Sequence, residues 1–376
     1  MRTWTCCCGA EIFFHNTRCV ACGRDVGMCE SCNQVHSLED LVGTVEHKPS
    51  IAPVKTCPAD SNVQLVRCAN GVNHAVCNRY YVVQADPEVD TDIRQPCQWC
   101  KLTTEHPATS DPDRLLRWRQ LEAAKRRTLY IVDQIGLPVL SMPGELPLSF
   151  RFPDGSEQPV VTGHAGGVIT IDAREADSVH REATRVEFGE PHRTLVGHFR
   201  HELGHYYWQR LVEPDMARLD EYRQLFGDER TPSYQEAQKD YYARGVPIAW
   251  QGNFVSQYAT MHSWEDFAES FNAYLDMRTV LATAAHFVRP GGVRQRVFAN
   301  SAPNDLSDRF EKMIADYARV GIVANEFNRD LGLLDLVPEV FTTSVVKKLR
   351  FIHNLCNPAA ELPTIDESDS TLPQPS

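Results

Sequence analysis

Apolar side chains recur at helical spacing in several stretches of this chain and alternate at strand spacing in one. Leu115, Trp118, Leu121, Leu129 and Val132 form an apolar stripe near the helical period. Asp113 stands where it can cap that helix, and Gly136 with Pro138 ends it. Leu195, Val196, Phe199 and Leu203 give a second helix its buried side. Trp264, Phe267, Phe271, Tyr274 and Leu275 do the same for a third, with Ser263 as its N-cap. Residues 309–336 read as mostly helical, and residues 345–356 as a last helix with Phe351 and Ile352 inward. Between the first two helices Leu148, Phe150 and Phe152 alternate, Pro153-Asp154-Gly155 marks a turn, and a short β-branched strand runs from Gly166 to Asp172. Residues 226–258 read as a polar, Tyr-rich connection, and residues 357–376, rich in Pro, Ser, Thr and acid, as a disordered tail.

The first hundred residues follow another rule. Twelve of the 13 cysteines lie there, in C-x-x-C pairs and an odd total, which favours metal thiolates over disulfides. Cys6, Cys8, Cys19 and Cys22 form two knuckles, each followed by Gly, around the apolar Phe13-Phe14, as in a four-thiolate zinc ribbon. Cys7 lies between two ligands and is expected to point elsewhere. Cys68, Cys77, Cys97 and Cys100 are candidates for a second structural zinc, with a loose gap between the first two. Cys29, Cys32 and Cys57 are read as free thiols; a third metal, or displacement of an assumed pair by Cys29 and Cys32, stays open. A domain this small needs such staples, because it cannot bury enough apolar surface alone.

Composition narrows the rest. A chain of 376 residues, 42% hydrophobic and 23% charged, is long enough for two domains. The net charge of −12 argues against broad nucleic-acid or anionic-membrane binding. The N-terminus carries no apolar signal region and no apolar run reaches membrane-spanning length, so the expected compartment is the cytoplasm, with no membrane partner. One basic patch stands out, Arg114, Arg117, Arg119, Lys125, Arg126 and Arg127. It is read as a solvated face pairing with acids, with nucleic-acid binding as the alternative.

The second helix contains His201-Glu202-Leu203-Gly204-His205. Residues four apart share a helix face, so His201 and His205 can point two imidazoles at one Zn²⁺, with Glu202 beside it as general base. With 14 histidines in the chain the spacing alone does not decide. The third helix supplies what the chemistry still requires: Glu265 and Glu269 are four apart on one face. Glu265 fits a third ligand, and Glu269 a carboxylate that orients a ligand imidazole through its free N–H; the reverse assignment stays open. His198 is read as packing or as a neighbour of the ligands. Tyr258, His262 and Tyr206 are candidate donors to substrate or oxyanion. The strand from Gly166 to Asp172 is the candidate edge for holding an extended substrate, with an ordinary core strand as the alternative, and His164 is a weaker candidate for substrate contact.

The chain resembles the bacterial zinc-binding metallopeptidases, gluzincin-like His-Glu-x-x-His peptidases that carry an N-terminal zinc ribbon. The resemblance runs through Cys8-Gly9, Asn16-Thr17-Arg18-Cys19, Cys68-Ala69-Asn70, Cys77-Asn78 and Cys97-x-x-Cys100. It continues in residues 118–127, Thr162-Gly163-His164, the core from Gly189 to Trp208, residues 226–230 and Ser263-Trp264-Glu265-Asp266, and ends in Asn328-Arg329 and residues 348–353. Cys7, Cys29, Cys32 and Cys57 depart from the pattern. The resemblance implies an α+β fold: a zincin-like, mainly helical metallopeptidase domain with a small β-sheet, preceded by a small cysteine-rich zinc-ribbon domain. The expected division is residues 1–103 for the ribbon, 104–140 for a linker and long helix, 141–356 for the peptidase-like domain, and 357–376 for the tail. The expected activity is zinc-dependent peptide-bond hydrolysis, with one catalytic and one or two structural Zn²⁺ and a peptide or protein as substrate. The alternative is a ribbon that binds nucleic acid or protein on a peptidase-like scaffold; a third reading has the ribbon deliver a protein substrate to the site.

Overall fold

The computed structural model describes residues 2–40, 55–83, 95–156, 158–187, 194–287, 306–338 and 340–357. Residues 358–376 of the expected tail, and Gly189-Glu190-Pro191, lie outside them. The fold is mixed α/β and about half helical, with several small sheets, and the cysteine-rich region precedes the helical part.

Strands β1 (Trp4–Thr5) and β2 (Glu11–Ile12) pair antiparallel across the first cysteine knuckle. A six-stranded sheet follows, from β3 (Val26–Cys29), β4 (Val35–Ser37), β5 (Glu39–Asp40), β6 (Lys55–Cys57), β7 (Asp60–Arg67) and, beyond helix α1 (Ala69–His74), β8 (Arg79–Val83). Its order is β4-β3-β8-β7-β6-β5. Only Leu38 separates β4 from β5, so the two edges are one bent strand and the sheet closes on itself, leaving no long open edge among the described residues. Inside it lies a small separate core of Cys29, Leu38, Cys57, Leu65 and Tyr80. Helix α2 (Gln98–Lys101) ends the region.

The stretch expected to be a loop after residue 102 begins with strand β9 (Thr103–Glu105). It joins β10 (Ser149–Arg151), β11 (Gly163–Ala165) and β12 (Val168–Thr170) in a sheet of order β11-β12-β10-β9. Helix α3 (Pro112–Gln134) runs between the cysteine-rich region and the rest. Its cap is Asp111, not Asp113: the Asp111 carboxylate accepts from the N–H groups of Asp113 (2.9 Å) and Arg114 (3.2 Å), with Pro112 at the first helical position. Trp118, Leu121, Leu129 and Val132 are buried as their period implies.

The basic side chains of α3 are not a solvated face. Lys125 is fully buried against Glu122 at 2.8 Å. Arg126 donates to the Val76 carbonyl, just beyond α1, and Arg119 to the carbonyl of His74, the last residue of α1. Arg114 and Arg117 lie 2.9 and 3.7 Å from Asp154. A buried cation must be paired, and here the pairing fastens the cysteine-rich region to α3.

The remaining helices are α4 (Ser178–Glu187), α5 (Leu195–Tyr207), α6 (Met216–Phe226), α7 (Tyr234–Arg244), α8 (Ser263–Phe287), α9 (Leu306–Asp330) and α10 (Thr343–Cys356). The Tyr-rich connection therefore contains a helix, α7, opened by a capping box between Ser233 and Glu236. Helix α10 is locked to α8 by a buried ion pair: Lys348 Nζ lies 2.5 Å from Asp266 Oδ2 and donates to the Asn253 carbonyl at 2.7 Å. Removing one partner of a buried pair strands the other charge. Lys348→Met is expected to cost about 3–5 kcal/mol of stability, read as a lowered denaturant midpoint; an unchanged midpoint would refute the role given to this pair.

Candidate metal centre

Helix α5 starts at Thr194, whose hydroxyl accepts from the Gly197 N–H at 3.0 Å, and it buries Phe199 and Leu203 completely. Helix α8 crosses it at unusually close range. A Cβ placed on Gly204 would stand 2.8 Å from Ala268 Cα, so no other residue type fits there without moving a helix. Arg200 extends the contact by donating to Asp276 (2.8 Å) and Thr279 (3.0 Å) of α8. The crossing sets His201 and His205, which flank Gly204, opposite Glu265 and Glu269, which flank Ala268.

Three ligand atoms converge there. His201 Nε2 lies 3.1 Å from His205 Nε2 and 2.9 Å from Glu265 Oε2, and His205 Nε2 lies 3.4 Å from the same oxygen. Donors on a tetrahedral zinc, bonded at about 2.0–2.1 Å, stand about 3.3 Å apart, so the triangle has the size the ion requires. Glu269 Oε1 sits 2.6 Å from His201 Nδ1. With the ring proton on that side, His201 Nε2 presents its lone pair to the centre of the triangle. The Tyr234 hydroxyl donates to Glu265 Oε1 at 2.8 Å, while buried Glu265 Oε2 meets no hydrogen-bond donor in good geometry. Two nitrogens, one oxygen and an orphaned buried carboxylate atom fit a divalent cation.

The electrostatics agree. Burial alone would lower the His201 pKa, but Glu265 and Glu269 outweigh it and hold it well above the usual histidine value. Burial would raise Glu265, but His205 and His201 outweigh it and hold that carboxyl well below the usual range. The pocket is thus built to keep a positive charge among carboxylates. Glu202 is almost fully buried, its Oε2 has no partner, and burial raises its pKa.

The other expected site residues are distributed unevenly. The Tyr258 ring lies 5.9 Å from that of His201. His262 accepts the Trp264 N–H on Nδ1 at 3.1 Å, so His262 rather than Ser263 caps α8; its Nε2 is buried and unpartnered. Tyr206 is turned away, donating to the Leu146 carbonyl (3.1 Å) and accepting from Arg210 (2.8 Å). His198 faces Glu175 at 3.5 Å rather than the triangle. His164 stands beside His205 with ring centroids 6.5 Å apart, and burial followed by His205 holds it at about 4, hence neutral. The strand read as a candidate edge, with a core strand as the alternative, is β12, and it is interior, between β11 and β10; the edge is β11, which carries His164. Tyr234, Gly204 and the wall formed by Trp264, its ring 4.3 Å from that of His205, were not singled out from the sequence. The capping box before α7 was legible and would have placed Tyr234 on a helix.

The cysteines form clusters as well. Cys6, Cys8, Cys19 and Cys22 converge, with Cys6–Cys22 at 3.6 Å and Cys8–Cys19 at 3.7 Å between sulfurs. Cys68, Cys77, Cys97 and Cys100 converge and are all buried, with Cys77–Cys97 at 3.9 Å. Thiolates on a tetrahedral zinc, bonded at about 2.3 Å, are about 3.8 Å apart. Helix α1 fills the loose gap between Cys68 and Cys77. Backbone N–H groups of Cys97 and Arg79 reach the sulfurs of Cys68 and Cys77, as thiolates require when buried. Cys7 is exposed.

A family described as "Putative zinc-binding metallo-peptidase" matches residues 114–355, well over half of the chain. The chain belongs to this zinc-binding metallo-peptidase family. A second family, described as a zinc-ribbon domain, matches residues 3–111. Among curated proteins, relatives from Mycobacterium tuberculosis strain H37Rv, M. tuberculosis strain CDC 1551 and Mycobacterium bovis, each named as an uncharacterized protein, are 35% identical over 355 residues, covering 94% of this chain and 94% of each relative. No solved structure matches the chain. Among the described residues, no helix of this metallo-peptidase family member is long and apolar enough to cross a membrane.

Two outcomes follow from the helix crossing and the carboxylate behind His201. Gly204→Ala forces α5 and α8 apart and is expected to cost about 1–3 kcal/mol and to weaken zinc retention at the His201 site; wild-type stability and zinc content would contradict the close approach. Glu269→Gln is expected to keep the ion but lower its affinity about 10–100-fold, whereas Glu265→Ala abolishes binding; competition with a chelating dye reads both.

Proposed function

We propose that the protein is a zinc-dependent peptide hydrolase in which Glu202 is the general base and acid. The observation that carries this reading is the convergence of His201, His205 and Glu265 beside a buried, unpartnered Glu202 carboxylate. When bound by these three residues, zinc supplies Lewis acidity, polarising the scissile carbonyl and acidifying a water molecule. Glu202 takes the proton of the attacking water and returns it to the departing amine nitrogen. Its raised pKa favours the second role without preventing the first. Glu269 keeps His201 in one tautomer, and Tyr234 keeps Glu265 in one orientation. Tyr258 and His262 are the donors proposed for the developing oxyanion. The edge strand β11, rather than β12, is the one proposed to pair with an extended substrate. Four-thiolate zinc sites in the cysteine-rich region are structural, since four thiolates leave no position open to an exogenous ligand.

Glu202→Gln is expected to retain zinc and to lose at least about 10²-fold in peptide cleavage, measured as new termini in a peptide library digested by each form. Equal cleavage by both forms would reject the mechanism.

A further inference from the structure

Cys29, Cys32 and Cys57 do not behave as scattered free thiols. Their sulfurs converge, with Cys29–Cys57 at 3.5 Å and Cys57–Cys32 at 3.8 Å. Those are the spacings of the two four-thiolate clusters. Two buried cysteines in an apolar core need no explanation, since a thiol packs as a small hydrophobe. A third thiol and an imidazole meeting them do: His36 Nε2 lies 3.1 Å from Cys32 Sγ.

The backbone gives an independent reason. In the first cluster the Cys19 N–H donates to the Arg24 carbonyl and the Gly23 N–H to the Cys19 carbonyl, each at 2.9 Å, with Gly23 at a φ of 74°. In the segment Cys29 to Gln34, the Cys29 N–H donates to the Gln34 carbonyl at 2.9 Å and the Asn33 N–H to the Cys29 carbonyl at 3.0 Å, with Asn33 at a φ of 56°. The second segment repeats the first bond for bond. Asn takes the left-handed position that Gly holds in the first, the substitution that position tolerates best. A left-handed residue outside glycine carries a conformational cost, and a shared metal-binding knuckle accounts for it.

We propose that Cys29, Cys32 and Cys57 hold a further structural zinc ion, with His36 as the fourth ligand. The spacing is Cys-x-x-Cys, three residues, His, then twenty residues and Cys. His36 lies opposite Gly27 on the β3–β4 hairpin, and Cys57 lies at the turn from β6 to β7. The ion therefore ties one hairpin of the closed sheet to the other, inside a core of only a few apolar side chains. The imidazole sits at the rim of the thiol cluster, against Cys32. His36 and Cys57 both line a cavity of about 470 Å³, which gives the ring room to turn onto the ion.

The test is metal counting on the full chain, purified in reductant with zinc and then freed of loose metal. With four ligand clusters present, the wild type is expected to carry about four zinc ions, and Cys29→Ser with Cys57→Ser one fewer. Equal counts in the two chains would overturn the proposal. His36→Ala is expected to lose one equivalent to a chelator faster than the wild type; an unchanged rate would remove His36 from the ligand set. Should the cysteine variant fail to fold, the wild type decides. Zinc-loaded chain is expected to shield half-exposed Cys32 from alkylation until a chelator is added. Alkylation of Cys32 as fast as exposed Cys7, or a Cys29–Cys57 disulfide in the zinc-loaded chain, would overturn the site. Activity enters none of these readouts, so the result stands apart from the peptidase reading.

Discussion

The candidate active site depends on how closely two helices approach. Gly204 of α5 lies against Ala268 of α8 with no room for a side chain between them. The site residues sit within one turn of this contact: His201 and His205 lie three before and one after the glycine, and Glu265 and Glu269 three before and one after the alanine. A helix turn rises about 5.4 Å, so an ångström added at the crossing is a large fraction of the gap that the ligands must close. The Arg200–Asp276 pair braces the same two helices, and the Lys348–Asp266 pair ties α8 to α10. Four buried or half-buried charged groups are thus bound up in holding α8.

The cysteine-rich region solves a different problem. Its closed sheet encloses a core of a few side chains, far below what a domain needs to fold on apolar burial alone. Cysteine clusters stand where metal cross-links would make up the difference, and the basic side chains of α3 supply the docking. Arg119 and Arg126 reach carbonyls at the end of α1, where the backbone would otherwise lack partners. The cations read from the sequence as a solvated face, with nucleic-acid binding as the alternative, are largely consumed within the chain. A charge run cannot reveal this, because the same arginines serve equally well facing water or facing a carbonyl.

Much of the site was legible. His201, His205 and Glu202 follow from helical spacing, and Glu265 with Glu269 from the same rule on a second helix. Local patterns failed where a neighbour competes for the same role. Asp111 displaced Asp113 as a cap because Pro112 fits the first helical turn. His262 displaced Ser263 because its ring nitrogen reaches the Trp264 N–H. The strand from Gly166 reads as either an edge or a core strand, because alternation along one strand carries no information on which strands flank it. Tyr206 was a candidate donor by proximity in sequence, yet the next position on a helix points about 100° away, and its hydroxyl is held by Leu146 and Arg210.

The sequence by itself determined the chemistry available: two imidazoles on one helix face with a carboxylate beside them, two carboxylates on another, and thiols in knuckles. It could do so because each of these patterns is set by local backbone geometry over a few residues. Only the tertiary structure decided which groups meet. The approach of α5 to α8, the placing of Tyr234 behind Glu265, and the gathering of Cys29, Cys32 and Cys57 with His36 all join residues far apart in the chain. Their partners are chosen by packing, and no periodicity within either segment records that choice.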